Sequence, residues 1–413
     1  MTQVATQPAS RTEAAPTERQ RAAAGPAGGV NTSVILPAYN EAAALPVVLR
    51  ALQRALGPDD EIVVVDDGST DETAAVARHY PCRLIQHGRN RGKGAAVRTG
   101  LQAARGHYIV VMDADATYPA DALPALVGLL ATHDLVRCPR QYDVKSMPTI
   151  NRLGNHVFAV VLRAVHGLEG HDHLSGLFGL RREALHRMRL SAHGFDLEVE
   201  INIKAHAYGL RQAELPIAYQ ERIGAKKLRP LQDGYRILRR VLTLALLFNP
   251  LLMFVLPGLG VWAVALVLAA LLSSGPLVLS PYLGLSIHSF IVAALGIPLG
   301  FQFILFGLAA ALFAVELGIP PQPWLVRLCH YRTRLTLLLV GLAVGLVGGV
   351  SLVGLAAGWL LSGHGAFTQT EQLVLAAVSA LWGAQLVGGA LFLTVFSPVL
   401  DRVTPAPASG DAR

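Results

Sequence analysis

Two aspartates, Asp113 and Asp115, end the apolar run "IVVMDADATYP" (109–119). Carboxylates at i and i+2 beyond a strand can offer oxygens to one hard divalent cation, which completes its coordination with water and substrate phosphates. The plainer alternative is an Asp that caps the following helix. Their company favours the metal. Asn40 and Glu41 follow the run "SVILPAY", and Asp66 and Asp67 close "EIVVVDD". A cation held by such strand-end acids would share its coordination with substrate phosphates, which suits a nucleoside diphosphate.

Bringing these residues into one crevice requires an α/β layer. From Ser33 onward short β-rich runs, including "CRLIQH", "YIVVMDAD" and "LVRCP", alternate with segments of helical periodicity. That alternation predicts a mainly parallel, Rossmann-like sheet whose ligands collect beyond the carboxyl ends of the strands.

The rest of the chain has a different character. Of 413 residues, 52% are hydrophobic and 15% charged, and the mean hydropathy is +0.43. This is too apolar for a soluble protein of this length. Nearly all charge lies before about residue 240, so a soluble half precedes a membrane half. Residues 1–30, rich in Ala, Pro, Thr, Gln and Gly, lack the apolar core of a signal peptide and are expected to form a disordered tail. Cys82, Cys138 and Cys329 are widely separated and lack metal-site spacing, which argues against a disulfide framework or zinc site. The net charge of +7 comes with no nucleic-acid recognition motif, and attraction to anionic lipid explains it better.

Several motifs now stand in a fixed order: "LPAYNE" (36–41), "VVVDDGSTDET" (63–73), "NRGKGAAVRTG", "MDADATYP" (112–119), "SGLFGLRREAL" (175–185) and "ELPIAYQERIGAKKL" (214–228). In this order, from about Ser33 to Leu242, the sequence resembles the family-two glycosyltransferases of GT-A fold, in the branch that loads sugars onto polyprenyl phosphates. It is similar to dolichol-phosphate mannose synthase and to bacterial undecaprenyl-phosphate glucosyltransferases. The resemblance implies that Pro37, Tyr39, Glu41 and Asp66 border the nucleoside and that Lys93 lies near the donor. Asp113 and Asp115 fall on the family's metal and diphosphate (DXD) motif, for Mg²⁺ or Mn²⁺. A metal there stabilises the charge that grows on a GDP or UDP leaving group.

A polyprenyl phosphate is already anionic and can attack the anomeric carbon without a base, so its site needs cations instead. The resemblance places Arg140, Arg152, Arg222 and Lys227 among basic positions for the lipid phosphate or the donor, with Ser175 close to the acceptor. Arg can grip phosphate with two parallel hydrogen bonds. Asp172, Glu198 and Glu200 match acidic positions that support these groups rather than touch substrate. His171 and His173 flank Asp172 without a further ligand pattern, and read as polar loop residues. Where the family commonly has Ser-Lys-Leu, this chain has Lys226, Lys227 and Leu228.

Leu228 to Leu242 sets Arg229, Arg236, Arg239 and Arg240 among apolar residues, as in a basic amphipathic helix at a membrane surface. Four stretches beyond it, about 248–273, 287–315, 335–361 and 372–396, lack Asp, Glu, Lys and Arg and are long enough to span. Residues 274–286 and 362–371 contain no Lys or Arg, whereas 316–334 carries Arg327, Arg332 and Arg334. By the positive-inside rule both hairpins turn outside and both termini are cytoplasmic. Gly341, Gly345 and Gly349 form a small-residue seam for close helix packing, within or between protomers.

The expected architecture is thus a tail (1–30), a cytoplasmic GT-A domain (31–227), a juxtamembrane helix (228–247), a four-helix transmembrane domain (248–396) and a cytoplasmic tail (397–413). The favoured function is inverting transfer of one sugar, mannose or glucose, from a nucleotide sugar to polyprenyl phosphate at the cytoplasmic membrane; homo-oligomerisation stays open. A processive polysaccharide synthase would carry a Gln-x-x-Arg-Trp motif, and this sequence has no Arg-Trp pair. A non-enzymatic lipid-sugar transporter would place ionisable residues inside the spans.

Overall fold

The computed structural model describes residues 30–141, 149–170, 172–225, 227, 230–273, 275–280, 283–362 and 369–401. The expected N-terminal tail before residue 30, the C-terminal tail after 401, His171, Lys226, Leu228 and Arg229 lie outside the described residues, as does the side chain of Arg152. The chain divides into two compact units, one holding most of residues up to Ile237 and the other Leu238–Arg413 with two short earlier segments.

The first unit is built on strands β1 (Thr32–Ala38), β2 (Glu61–Asp66), β3 (Arg83–Gln86), β4 (Tyr108–Val111), β5 (Leu135–Arg137), β6 (Arg140–Gln141), β7 (Phe178–Arg181), β8 (Gln212–Glu214) and β9 (Ile217–Ala218). Its helices are α1 (Leu45–Ala55), α2 (Thr73–Arg78), α3 (Lys93–Ala103), α4 (Leu123–Leu130), the first part of α5 (Thr149–His166), α6 (Arg182–Met188), most of α7 (Leu197–Ala207) and the start of α8 (Pro230–Phe248). β1, β2 and β4 are Val- and Ile-rich and buried on both faces, as strands covered by helices on either side must be. Helix α1 turns Leu45, Val48, Leu49 and Leu52 inward at helical spacing, and a proline in its first turn costs no hydrogen bond.

The seven-stranded sheet runs β3-β2-β1-β4-β7-β5-β8. All its pairings are parallel except those of β7, which lies antiparallel to both β4 and β5. The expected mainly parallel sheet therefore has one reversed strand inserted, from the "SGLFGLRR" stretch. The reversal serves the site: the residues before β7 reach the same edge as those that follow β1, β2, β4 and β5.

In the second unit four helical segments are long and apolar enough to cross a membrane: Leu251–Leu272, Ile287–Glu316, Tyr331–Leu361 and Thr370–Pro398. They comprise α9 (Leu256–Leu272, preceded by a wider turn), α10 (Ile287–Glu316), α12 (Tyr331–Leu361) and α13 (Thr370–Asp401), with the short α11 (Pro323–Leu328) between the second and third. A small antiparallel ribbon, β10 (Leu277–Ser280) with β11 (Leu283–Leu285), joins the first two spans.

The glycine seam packs α12 against α13. A Cβ on Gly341 would come within 2.8 Å of Leu386 and Val387, one on Gly348 would collide with Ala380, and one on Gly383 would collide with the backbone of Gly345. Gly349 faces open space, and Gly348 takes its place in the seam, because seven residues complete two helical turns more closely than eight. Gly383→Leu should therefore destabilise the folded protein by about 1–3 kcal/mol, the usual cost of overpacking, read as a lower unfolding midpoint in detergent. Gly349→Ala should leave the midpoint unchanged, and an unshifted Gly383→Leu would show that the two helices do not meet this closely.

Candidate active site

Beyond β4 the backbone stays tied to β1, with Met112 N donating to Ile35 O at 3.0 Å, and then releases Asp113 and Asp115. Lys93, the first residue of α3, reaches Asp113 Oδ1 at 2.7 Å and Glu198 Oε1 at 2.6 Å. The turn that aims it depends on Gly92, whose φ of +94° and 2.6 Å approach to the His193 carbonyl leave no room for a side chain. Burial disfavours the charge on Lys93, but the two carboxylates outweigh it and its pKa lies above the ordinary lysine value. Burial likewise raises the pKa of Glu198, against the pull of Lys93. Gly176, just before β7, lies against the Asp113 carboxylate, and a Cβ there would have to push that carboxylate aside. Its N–H donates to the Tyr118 hydroxyl at 2.7 Å.

Asp115 is held differently. Its Oδ1 accepts from Thr117 N at 3.1 Å and Thr117 Oγ1 at 2.5 Å, while Oδ2 lies 2.9 Å from Arg222. Ala116 beside it adopts φ +64°, a left-handed conformation that costs an L-residue roughly 1–2 kcal/mol. Arg222 bridges, donating also to Glu41 Oε1 at 2.8 Å, and Lys227 pairs with the same Glu41 oxygen and donates to the Asn40 carbonyl at 3.0 Å. Burial holds the Glu41 pKa above the ordinary value against these two cations.

At the β2 end Asp67, rather than Asp66, lines the cleft. Adjacent strand residues face opposite ways, and Asp66 turns to Ser69 N at 3.0 Å and Gln86 Nε2 at 3.2 Å. Asp67 accepts from Arg91 N at 3.0 Å and Gly92 N at 2.8 Å and pairs with His87 at 2.6 Å, so it braces the turn that carries Lys93. Pro37, Tyr39, Glu41, Lys93, Asp113 and Asp115, all singled out in the sequence, line the same cleft, a cavity of about 440 Å³. Arg222 and Lys227 line it too.

Arg140 and Ser175 are not among its lining residues. Arg140 is clamped by Asp172, with Nε and Nη2 each 2.7 Å from a carboxylate oxygen and the guanidinium over the Tyr219 ring. Burial opposes the charge on Asp172, but Arg140 holds its pKa below the ordinary carboxylate value. Ser175 Oγ donates to the Cys138 carbonyl at 2.6 Å. Glu198 supports Lys93, and Glu200 accepts from Ser191 N, Ala192 N and Lys204 Nζ, fixing the loop that packs on Gly92. Asn90, Phe195, Gln232, Asp233 and Arg236 also line the cleft and were not singled out for the site from the sequence.

Asp113 and Asp115 offer hard oxygens to one cleft, and among the described residues no group of three or more Asp, Glu, His and Cys forms a closed cage. Two carboxylates with the remaining positions left to phosphate and water are what Mg²⁺ and Mn²⁺ accept, so the residues fit such an ion.

Residues 33–189 match the family described as glycosyl transferase family 2, and residues 308–397 match the glycosyltransferase family 2 C-terminal transmembrane region. A dolichyl-phosphate hexose transferase of Haloferax volcanii is 33% identical, over 52% of this chain and 93% of that relative. This chain is a member of glycosyltransferase family 2. Another relative from that organism, the low-salt glycan biosynthesis hexosyltransferase Agl6, is 30% identical over 87% of this transferase and 88% of its own length, so the match includes both halves. A dolichol-phosphate mannosyltransferase of Pyrococcus furiosus is 32% identical over 42% of this transferase and 53% of its own length. Glucosyl-3-phosphoglycerate synthase from Mycobacterium tuberculosis, solved with Mn²⁺, UDP and glucosyl-3-phosphoglycerate, is 25% identical, with a TM-score of 0.45 over 56% of this chain and 86% of that one. The transferase has a GT-A catalytic half and, with its four apolar helices and matched transmembrane region, is an integral membrane protein.

Proposed function

We propose that this glycosyltransferase moves one hexose, mannose or glucose, from a GDP- or UDP-sugar to the phosphate of a polyprenyl phosphate, with inversion at the anomeric carbon. One observation carries the reading: among the described residues, each carboxylate that lines the cleft is already engaged. Asp113 pairs with Lys93, Asp115 and Glu41 with Arg222, Asp67 with His87 and two backbone amides, and Asp233 with Arg236. An acceptor hydroxyl would need a carboxylate free to take its proton, whereas a phosphate monoester is ionised before it arrives. The relatives named for dolichyl-phosphate hexose transfer and dolichol-phosphate mannosyl transfer support the same acceptor class.

In this reading Pro37, Tyr39 and Asp67 border the nucleoside, and Lys93, Arg222 and Lys227 face the diphosphate. Asp113 and Asp115 would hold Mg²⁺ or Mn²⁺, which supplies charge stabilisation to the departing diphosphate. Arg140, with Ser175 and Arg152, remains on the acceptor side as a positioning group, since Arg140 is fixed by Asp172. The test is to incubate the purified protein with a short polyprenyl phosphate, Mg²⁺ or Mn²⁺, and a panel of labelled nucleotide sugars. Label should enter the lipid phase only with polyprenyl phosphate present; transfer to an alcohol acceptor instead would overturn the reading.

The loop charges support a catalytic half in the cytoplasm at the inner membrane. Cysteine introduced at Ser274 or Gly363, both outside the described residues, should be labelled by an impermeant thiol reagent from outside the cell. Cysteine in place of Arg332 should not, and reversed sidedness would place the catalytic half outside.

A further inference from the structure

Granted the polyprenyl-phosphate reading, on which this assignment rests, we propose that Arg236 receives the phosphate of the lipid acceptor. Among the described residues four cations line the cleft: Lys93, Arg222, Lys227 and Arg236. The first three are each at least three-quarters buried and sit on the carboxylates at the ends of β1 and β4, where the nucleotide and its metal belong. Arg236 differs in both respects. Its side chain is 61% exposed, and it holds Asp233 through Nη1 alone at 3.2 Å.

Because only one of its nitrogens is used on the buried Asp233, the exposed guanidinium can keep that bond and still meet a second anion. Arginine carries five N–H donors, and Nη1 uses part of one edge, which leaves a second edge for two parallel bonds to a phosphate. Asp233, 5% exposed and one helical turn earlier, anchors the side chain at the rim of the cleft. Arg140, by contrast, is buried and holds Asp172 with two nitrogens, and would have to surrender that clamp to bind an incoming anion.

Chain order points the same way. A polyprenyl tail confines its phosphate to the membrane surface, and Arg236 stands on α8, the helix that leads in sequence to the first spanning segment, Leu251–Leu272. A cation on such a helix, with Arg239 and Arg240 close by in sequence, could instead serve only to attract anionic lipid. The two roles separate in neutral detergent, where that attraction is absent.

The experiment compares the full-length parent with Arg236→Ala and Arg236→Lys in neutral detergent. It measures the KM for a short polyprenyl phosphate and, by calorimetry, the Kd for the nucleoside diphosphate with Mn²⁺. Arg236→Ala should raise the lipid KM about ten- to a hundredfold, the scale of one lost charge-assisted contact, with nucleotide affinity unchanged. Arg236→Lys should recover part of the loss, and unchanged nucleotide binding certifies that the variants are folded. A normal lipid KM in Arg236→Ala would make the residue a surface charge and overturn the assignment. Weakened nucleotide binding with normal lipid saturation would assign Arg236 to the donor diphosphate and overturn it equally. A parent that glycosylates no polyprenyl phosphate would overturn the acceptor class itself, a failure distinct from the other two.

Discussion

Asp115→Asn should lower turnover by at least about a hundredfold while leaving the protein folded. Asparagine has the same shape, and its side-chain oxygen can still accept from Thr117 N and Thr117 Oγ1, so the loop around Ala116 keeps its form. Arg222 loses one of two partners but retains Glu41. What disappears is a negative charge at the position proposed to hold the metal against the departing diphosphate. Loss of a preorganised electrostatic group commonly costs about two to three orders of magnitude in turnover. The check is kcat at saturating substrates together with the thermal midpoint; near-normal turnover would remove Asp115 from the metal site.

The second large effect is on stability. Lys93 is 13% exposed and lies between Asp113 and Glu198, of which Glu198 is 4% exposed. Lys93→Met leaves these carboxylates facing each other without their cation, and stripping one partner from a buried pair typically costs about 3–5 kcal/mol. The loss should depend on pH, with a definite sign. Burial already raises the pKa of Glu198 and Lys93 opposes it, so the variant raises it further. Between the unfolded and the raised folded pKa the native state binds a proton that the unfolded chain has released. Stability therefore falls as pH rises through that window, and the deficit should be smaller in acid than at neutral pH. Unfolding midpoints of parent and variant across that range test this; equal midpoints at neutral pH would show that Lys93 does not neutralise the pair.

The fold was readable where local patterns decide it. The Val- and Ile-rich runs became β1, β2 and β4, and the end of "IVVMDAD" delivered its carboxylates to the sheet edge as the strand pattern implied. Strand β7 was less visible, because "FGLR" is short and runs straight into a charged helix. Long-range pairing was hidden altogether: Arg222 meets Glu41 across 181 residues of sequence, and no local signal joins it to Glu41 and Asp115 rather than to Arg140. Asp66 and Asp67 are chemically identical neighbours, and only the register of β2 decides which one faces the cleft. Arg236 reads in the sequence as one charge of a basic amphipathic helix, and its place at the cleft, with that of Asp233, depends on where α8 begins its course.

The central claim, transfer of one sugar to a lipid phosphate, is tested most directly by the mass of the lipid product. The protein would be incubated with a polyprenyl phosphate of defined length and the donor that labels it, and the lipid extract weighed by mass spectrometry. The expected result is a single new species heavier than the acceptor by one hexose residue and still bearing one phosphate. A ladder of masses spaced by a sugar unit, or a product that has gained a second phosphate with its sugar, would contradict the account.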